Sequence, residues 1–222
     1  MTLRAVFFDL DGTVLDTAVD MANALNALLK SVNRKTLPLD NVRKHVSNGA
    51  AALVKLGFGI TDQDPSFMDL RQKLLDFYAA DLASHTQPFP GIEDLIANLA
   101  RYDIKWGLIT NKPWAYTEPL LQHFEFARAP LTVICPDHVK QRKPAPDSIY
   151  LACEIANCKT SEVVYVGDHQ RDIECGIRAG CDTIAVGYGY IADDGNHNDW
   201  GATHVVDKSE ELWPLIETYI VQ

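Results

Sequence analysis

Six short runs along the chain are too apolar for strands with one wet face. They are Ala5–Phe8, Trp106–Thr110, Thr132–Cys135, Val163–Val166, Thr183–Val186 and Val205–Val206. Helical patterns such as Ile92–Ala100, Ala145–Ala156 and Asp172–Ala179 lie between them. A strand that is apolar at every position is buried on both faces, and strands that alternate with helices are joined by crossovers. The expected class is α/β, a doubly wound, mostly parallel sheet.

The spacing of the first two strands is abnormal. About 95 residues separate Phe8 from Trp106, where an ordinary crossover takes a dozen or so. Within that stretch Thr17–Lys30, Leu39–Gly57 and Asp64–Ser84 carry helical apolar patterns. Asp16-Thr17 and Asp64-Pro65 read as helix starts, Gly57-Phe58-Gly59 as a stop, and Pro88-Phe89-Pro90-Gly91 as the return. These signals predict an all-helical cap domain over residues 17–86, inserted into a core domain of residues 1–16 and 87–222. Ligands of open α/β sheets bind beyond the carboxyl ends of the strands. An insert after the first strand is therefore expected to lie over the site as a lid.

Composition removes several classes. Thirty acidic residues stand against 20 basic ones, for a net charge of −10, and no Lys/Arg block offsets this. A nucleic-acid surface is not expected. No apolar run approaches the roughly 18 residues of a membrane helix, so no membrane partner is expected. Asp9 and Asp11 interrupt the first apolar run too early for a secretory leader, which points to the cytoplasm. Cys135, Cys153, Cys158, Cys175 and Cys181 are odd in number and include no CxxC pair. They read as reduced packing thiols rather than a disulfide framework or zinc site. Nothing calls for an obligate protein partner.

Four clusters fall at predicted strand ends. In Asp9-Leu10-Asp11-Gly12-Thr13 the two acids are two apart, so an extended chain points them the same way. Close carboxylates repel, so this pair needs a cation or a shared proton. Gly12 permits a sharp turn, and Asp16 can cap the following helix. Thr110-Asn111 offers a hydroxyl and an amide to an anion, although the same pair also makes a good turn. Lys143-Pro144-Ala145-Pro146 holds a lysine between rigid residues, with Pro146 suited to a helix start. In Gly167-Asp168-His169-Gln170-Arg171-Asp172, Asp168 supplies a third strand-end acid. Asp172 follows one helical turn later, on the same face. Oxygen donors without His or Cys suit Mg²⁺. No Walker A or dinucleotide glycine motif is present.

Asp9-x-Asp11-Gly12-Thr13, Thr110-Asn111, Lys143-Pro144 and Gly167-Asp168-x-x-x-Asp172 together resemble, in order, the four motifs of the haloacid dehalogenase-like hydrolases. The helical insert resembles their C1-capped subgroup. The resemblance implies an aspartyl-phosphate chemistry. Asp9 would be the nucleophile, and Asp11 the general acid and then the base. Thr110, Asn111 and Lys143 would bind phosphate. Mg²⁺ would sit on Asp9, the backbone carbonyl of Asp11, and Asp168, with Asp172 supporting it from behind. A dehalogenase would not need the acid Asp11, because halide leaves unprotonated, so the resemblance favours phosphate esters. His169 reads as a strand-end surface residue with no ligand role.

Within that superfamily the chain resembles the phosphoglycolate-phosphatase-like enzymes. The blocks Trp106–Pro113, Cys135–Val139, Gly167–Ile173 and Gly187–Ile191, with Trp200-Gly201-Ala202, resemble the N-acetylmuramic acid 6-phosphate phosphatases of peptidoglycan recycling. The expected partner is a small phosphorylated metabolite. Arg43, His45, Ser47 and Asn48 lie between two insert helices or on one edge and are candidates for selecting it, against the plain alternative of a polar surface. A phosphomutase and a signalling receiver domain share parts of this motif set. The mutase would release no inorganic phosphate; the receiver would be shorter and lack the insert.

Overall fold

The computed structural model describes residues 2–193 and 195–220. The chain divides into two compact units, Met1–Leu15 with Pro88–Gln222, and Asp16–Gln87.

The larger unit is built on a six-stranded sheet. Its strands are β1 (Ala5–Phe8), β4 (Lys105–Ile109), β5 (Val133–Ile134), β6 (Val163–Gly167), β7 (Asp182–Val186) and β8 (His204–Val206). They run in the order β5-β4-β1-β6-β7-β8, and the neighbouring pairs are parallel. Two short strands, β2 (Leu15–Asp16) and β3 (Gln87–Pro88), make a separate two-stranded sheet. The winding starts at β1, proceeds to β4 and β5 on one side, then returns to β6, β7 and β8 on the other. The switch point is at β1, where such sheets bind ligands. Register aligns Phe8 with Leu108 on one side and with Val166 on the other. The carboxyl ends of β1, β4 and β6 therefore stand side by side.

Burial on both faces explains the unbroken apolar runs. Every residue of β1 and β6 is buried. Helix α5 (Ile92–Arg101) buries Ile92, Leu95, Ile96 and Leu99, the one-faced pattern of an amphipathic helix. Helices α7 (Asp147–Ala156) and α8 (Gln170–Ala179) bring Ile149, Ala152, Cys153, Cys175 and Ala179 into a cluster with Phe7, Val163 and Tyr165. All five cysteines are free thiols. Burial pushes Cys153 and Cys181 up to about 12, and Cys135 and Cys175 up to about 11. Thiols held this far from thiolate are packing groups.

Two helices were not expected. Helix α6 (Trp114–Leu121) carries Pro119 internally, a residue that usually breaks a helical reading. Helix α9 (Leu212–Glu217) is six residues long. Helix α7 starts at Asp147, later than expected, with Pro146 as its N-cap.

The smaller unit contains α1 (Ala18–Ser31), α2 (Leu39–Arg43), α3 (Gly49–Phe58) and α4 (Phe67–Ala80). The single helical stretch expected over Leu39–Gly57 is broken. A 3₁₀ turn at Val46–Asn48 separates α2 from α3. The chain tightens there through three-residue bonds, His45 N to Val42 O and Asn48 N to His45 O, in a segment whose Ser47 and Asn48 compete with helical bonding. Asp20 of α1 is buried and accepts from the backbone N–H groups of His85 and Thr86 and from the Thr86 hydroxyl. One carboxylate thus ties the end of the unit back to its first helix.

Gly176 lets α8 approach the sheet closely. A Cβ there would lie 2.2 Å from Cγ2 of Thr183, so overlap outweighs the helical preference for alanine over glycine. Gly176→Ala is expected to cost about 1–3 kcal/mol. Adding Thr183→Ser removes the clashing methyl but keeps the hydroxyl that accepts from Thr203 N. Thermal melts should show the double variant recovering most of the loss. Equal melting of both variants would refute the contact.

Candidate active site

Asp9 N donates to Val166 O at 2.8 Å. That bond carries β1 one residue further and leaves the Asp9 side chain at the strand end, 14% exposed. Lys143 arrives from the loop before α7 with its side chain 1% exposed. Its Nζ lies 2.9 Å from Asp9 Oδ1 and 2.7 Å from Asp172 Oδ1. It also donates to Ile109 O at 2.8 Å and to the Tyr165 hydroxyl at 2.9 Å. The hydroxyl in turn donates to Ile109 O at 3.0 Å. Groups from the ends of β1, β4 and β6 thus close around one ammonium.

Asp168 and Asp172 are buried behind Asp9. Asp168 accepts from the Thr13 hydroxyl at 3.3 Å and from Tyr190 N at 2.9 Å. Gly12, at φ +87°, makes room for it: a Cβ on Gly12 would lie 2.2 Å from Asp168 Oδ2. Asp172 accepts from Lys143 at Oδ1 and from His169 N at Oδ2, 3.1 Å. The helical-face argument for this pair needs correcting. Asp168 precedes α8 and Asp172 lies in its first turn, so strand end and helix start bring them together.

Thr110 is buried. Its Oγ1 accepts Lys112 N at 3.0 Å, which leaves the hydroxyl proton to be donated. Asn111 Nδ2 donates to Lys143 O at 3.1 Å, and Asn111 Oδ1 is buried with no hydrogen-bond partner among the described residues. Asp11 is not against Lys143; its Oδ1 is 2.9 Å from Nζ of Lys112. Each member of the Asp9/Asp11 pair therefore has its own lysine. Lys112, Tyr165 and Tyr190 were not read as site residues. Arg43, Ser47 and Asn48 belong to the smaller unit. Arg43 Nη2 pairs with Asp16 Oδ2 at 2.7 Å, while Ser47 is half-buried and Asn48 exposed in the 3₁₀ turn.

Burial is the main influence on Asp9 and raises its carboxyl to about 6. Lys143 opposes the shift, while Asp172 and Asp11 add to it. Burial alone would lower Lys143, but Asp172 and Asp9 outweigh it and raise the ammonium above its usual range. Asp9, Asp168 and Asp172 each bring a carboxylate oxygen within 4.8 Å of the others. Asp9 and Asp172 flank the ammonium and Asp168 adds a third acid beside them, so negative charge is in surplus and every donor of the cluster is a carboxylate oxygen. That set fits a hard divalent cation.

The family model described as haloacid dehalogenase-like hydrolase matches residues 6–186. The chain belongs to the haloacid dehalogenase-like hydrolases. It is a phosphatase, similar along its length to named phosphatases. A Pseudomonas putida protein named N-acetylmuramic acid 6-phosphate phosphatase is 41% identical over 218 residues, 98% of both chains. A Xanthomonas campestris protein named phosphoglycolate phosphatase is 32% identical over 210 residues, 95% of both chains. The crystal structure of a predicted phosphoglycolate phosphatase from Haemophilus somnus matches with a TM-score of 0.83 at 21% identity, over 97% of this chain and 99% of that one. That last likeness speaks for the fold. Among the described residues, no helix is long and apolar enough to cross a membrane.

His169 is not the surface residue expected from the sequence. It is the N-cap of α8, its Nδ1 accepting Arg171 N at 3.2 Å, and its ring stacks on Trp200. Burial, with Arg171 adding to it, lowers its pKa to about 4. A protonated ring cannot accept the capping bond. The folded pKa is below the unfolded value of roughly 6.5, so the unfolded state binds the extra proton between them and stability falls as pH drops through that window. His169→Asn keeps a capping oxygen without the titration. In melts from pH 7 to 4.5 the variant should gain on the parent as pH falls. A constant difference in Tm would refute the neutral cap.

Proposed function

We propose that the chain is a Mg²⁺-dependent phosphomonoesterase that works through an aspartyl-phosphate on Asp9 and takes N-acetylmuramic acid 6-phosphate as substrate. The observation that carries the mechanism is the wedging of Lys143 between Asp9 and Asp172, with Asp168 adjacent. The substrate rests on likeness to the Pseudomonas putida enzyme of that name over nearly the whole chain.

A carboxylate attacks a phosphate ester poorly because both are anionic. Lys143 offsets that repulsion and stabilises charge on the transferring phosphoryl group. The Thr110 hydroxyl and Asn111 amide donate to phosphoryl oxygens. Asp9 and Asp168, with the backbone carbonyl of Asp11, are the residues to hold Mg²⁺, and Asp172 braces them. The ion supplies further positive charge there when bound. An oxygen of Asp9 forms a bond to phosphorus, and the ester P–O bond breaks. Its electron pair stays on the leaving oxygen, which takes a proton from Asp11. Asp11, now a carboxylate, removes a proton from the water that attacks the aspartyl-phosphate, releasing phosphate and restoring Asp9. The covalent intermediate divides one difficult step into two. The helical unit acts as a cap that selects the substrate, with Arg43, Ser47 and Asn48 as its candidate contacts.

A second reading is a phosphoglycolate phosphatase, favoured by the Xanthomonas campestris relative of that name. Phosphate release with Mg²⁺ separates the two. A kcat/KM for N-acetylmuramic acid 6-phosphate at least a hundredfold above that for 2-phosphoglycolate, roughly 2.7 kcal/mol of transition-state discrimination, is the expected result. The reverse order assigns the second reading, and a phosphorylated product without free phosphate assigns a mutase. Asp9→Asn should melt near the parent and release no phosphate. Normal turnover by that variant would remove Asp9 as nucleophile.

A further inference from the structure

Lys112 stands in the turn after β4, one residue beyond the pair read as phosphate-binding, and no step above uses it. Its contacts are unusual for a turn lysine. The side chain is 9% exposed, and its Nζ lies 2.9 Å from Oδ1 of Asp11, itself 18% exposed. An ion pair this withdrawn from water differs from the exposed pairs that contribute little. Its backbone is held as well. Lys112 N donates to Thr110 Oγ1 at 3.0 Å, and Lys112 O accepts from the Thr117 hydroxyl at 3.3 Å.

Hydrogen-bond chemistry gives this contact a direction. An ammonium only donates, so Asp11 Oδ1 is the accepting oxygen of the pair. We propose that Lys112 is a positioning residue. It holds the Asp11 carboxyl in place and so sets where that group meets the ester oxygen of the substrate. Through its backbone N–H it also turns the Thr110 hydroxyl proton outward. Lys112 itself transfers no proton and makes no bond to phosphorus. The proposal rests on the reading of Asp11 as the acid, and its test separates the two.

The test compares two esters by kcat/KM, which reports the step that forms the aspartyl-phosphate. One is an alkyl ester, N-acetylmuramic acid 6-phosphate, or 2-phosphoglycolate if that is the ester turned over. Its alkoxide needs a proton to leave. The other is 2,4-dinitrophenyl phosphate, whose phenolate leaves without one. Asp11→Asn should lower the alkyl-to-aryl ratio by about 10²- to 10⁴-fold, the usual worth of a general acid. Lys112→Met should lower the same ratio by about 10- to 100-fold, the scale expected when a catalytic group is misplaced. The ratio is unaffected by the fraction of folded protein, and Lys112→Gln serves if the Met variant does not fold. A ratio lowered by Asp11→Asn but unmoved by the Lys112 variants overturns the proposal and leaves the acid standing. A ratio unmoved by Asp11→Asn overturns both.

Discussion

The ammonium of Lys143 is the interaction around which the larger unit is arranged. Removing an ion from water costs several kcal/mol even after relaxation, and a buried pair recovers this only with good geometry and further hydrogen bonds. Lys143 has both, in two carboxylates, a carbonyl and a phenol within 2.9 Å. Those partners come from β1, β4, β6 and α8. They meet only if the strands keep their register, since a slip of one residue would turn the side chains to the other face. The polar cluster thus reports on the alignment of the whole sheet, while the apolar core beneath it tolerates more variation.

The same arrangement separates Asp9 from Asp11. Two carboxyls two residues apart in one strand would share an environment. Here the chain turns at Gly12 and the environments diverge. Asp9 faces Lys143 among buried groups, and Asp11 faces Lys112. Two groups of one residue type, two positions apart, thus meet different surroundings, each with a different lysine as its partner.

The sheet was legible because burial on both faces writes an unbroken apolar run, and β1 and β6 came within a residue of their expected bounds. Asp9 and Asp168 were legible as acids that end apolar runs, Lys143 by the prolines that follow it, and Asp172 by its spacing from Asp168. Other residues were not. Lys112 is 101 positions from Asp11 along the chain, and a lysine in a turn has no local mark that sets it apart from a solvated one. Tyr165 reads as one more β-favouring residue of an apolar strand; a hydroxyl inside such a strand was the available signal. His169 misled because Ser, Thr, Asp and Asn are the usual caps, so a histidine before a helix does not announce itself. Ser47 and Asn48 were the local signal for the break between α2 and α3, while the helix containing Pro119 has none, because an internal proline argues against a helix.

Gly12 leaves no room for a side chain beside Asp168, and Tyr190 N closes on the same carboxylate. The acid at position 168 is therefore restricted in length as well as in charge. A glutamate would need space for one more methylene against backbone on two sides. The dimensions of this corner are thus set by main chain, which cannot yield by changing a rotamer, rather than by side chains, which can.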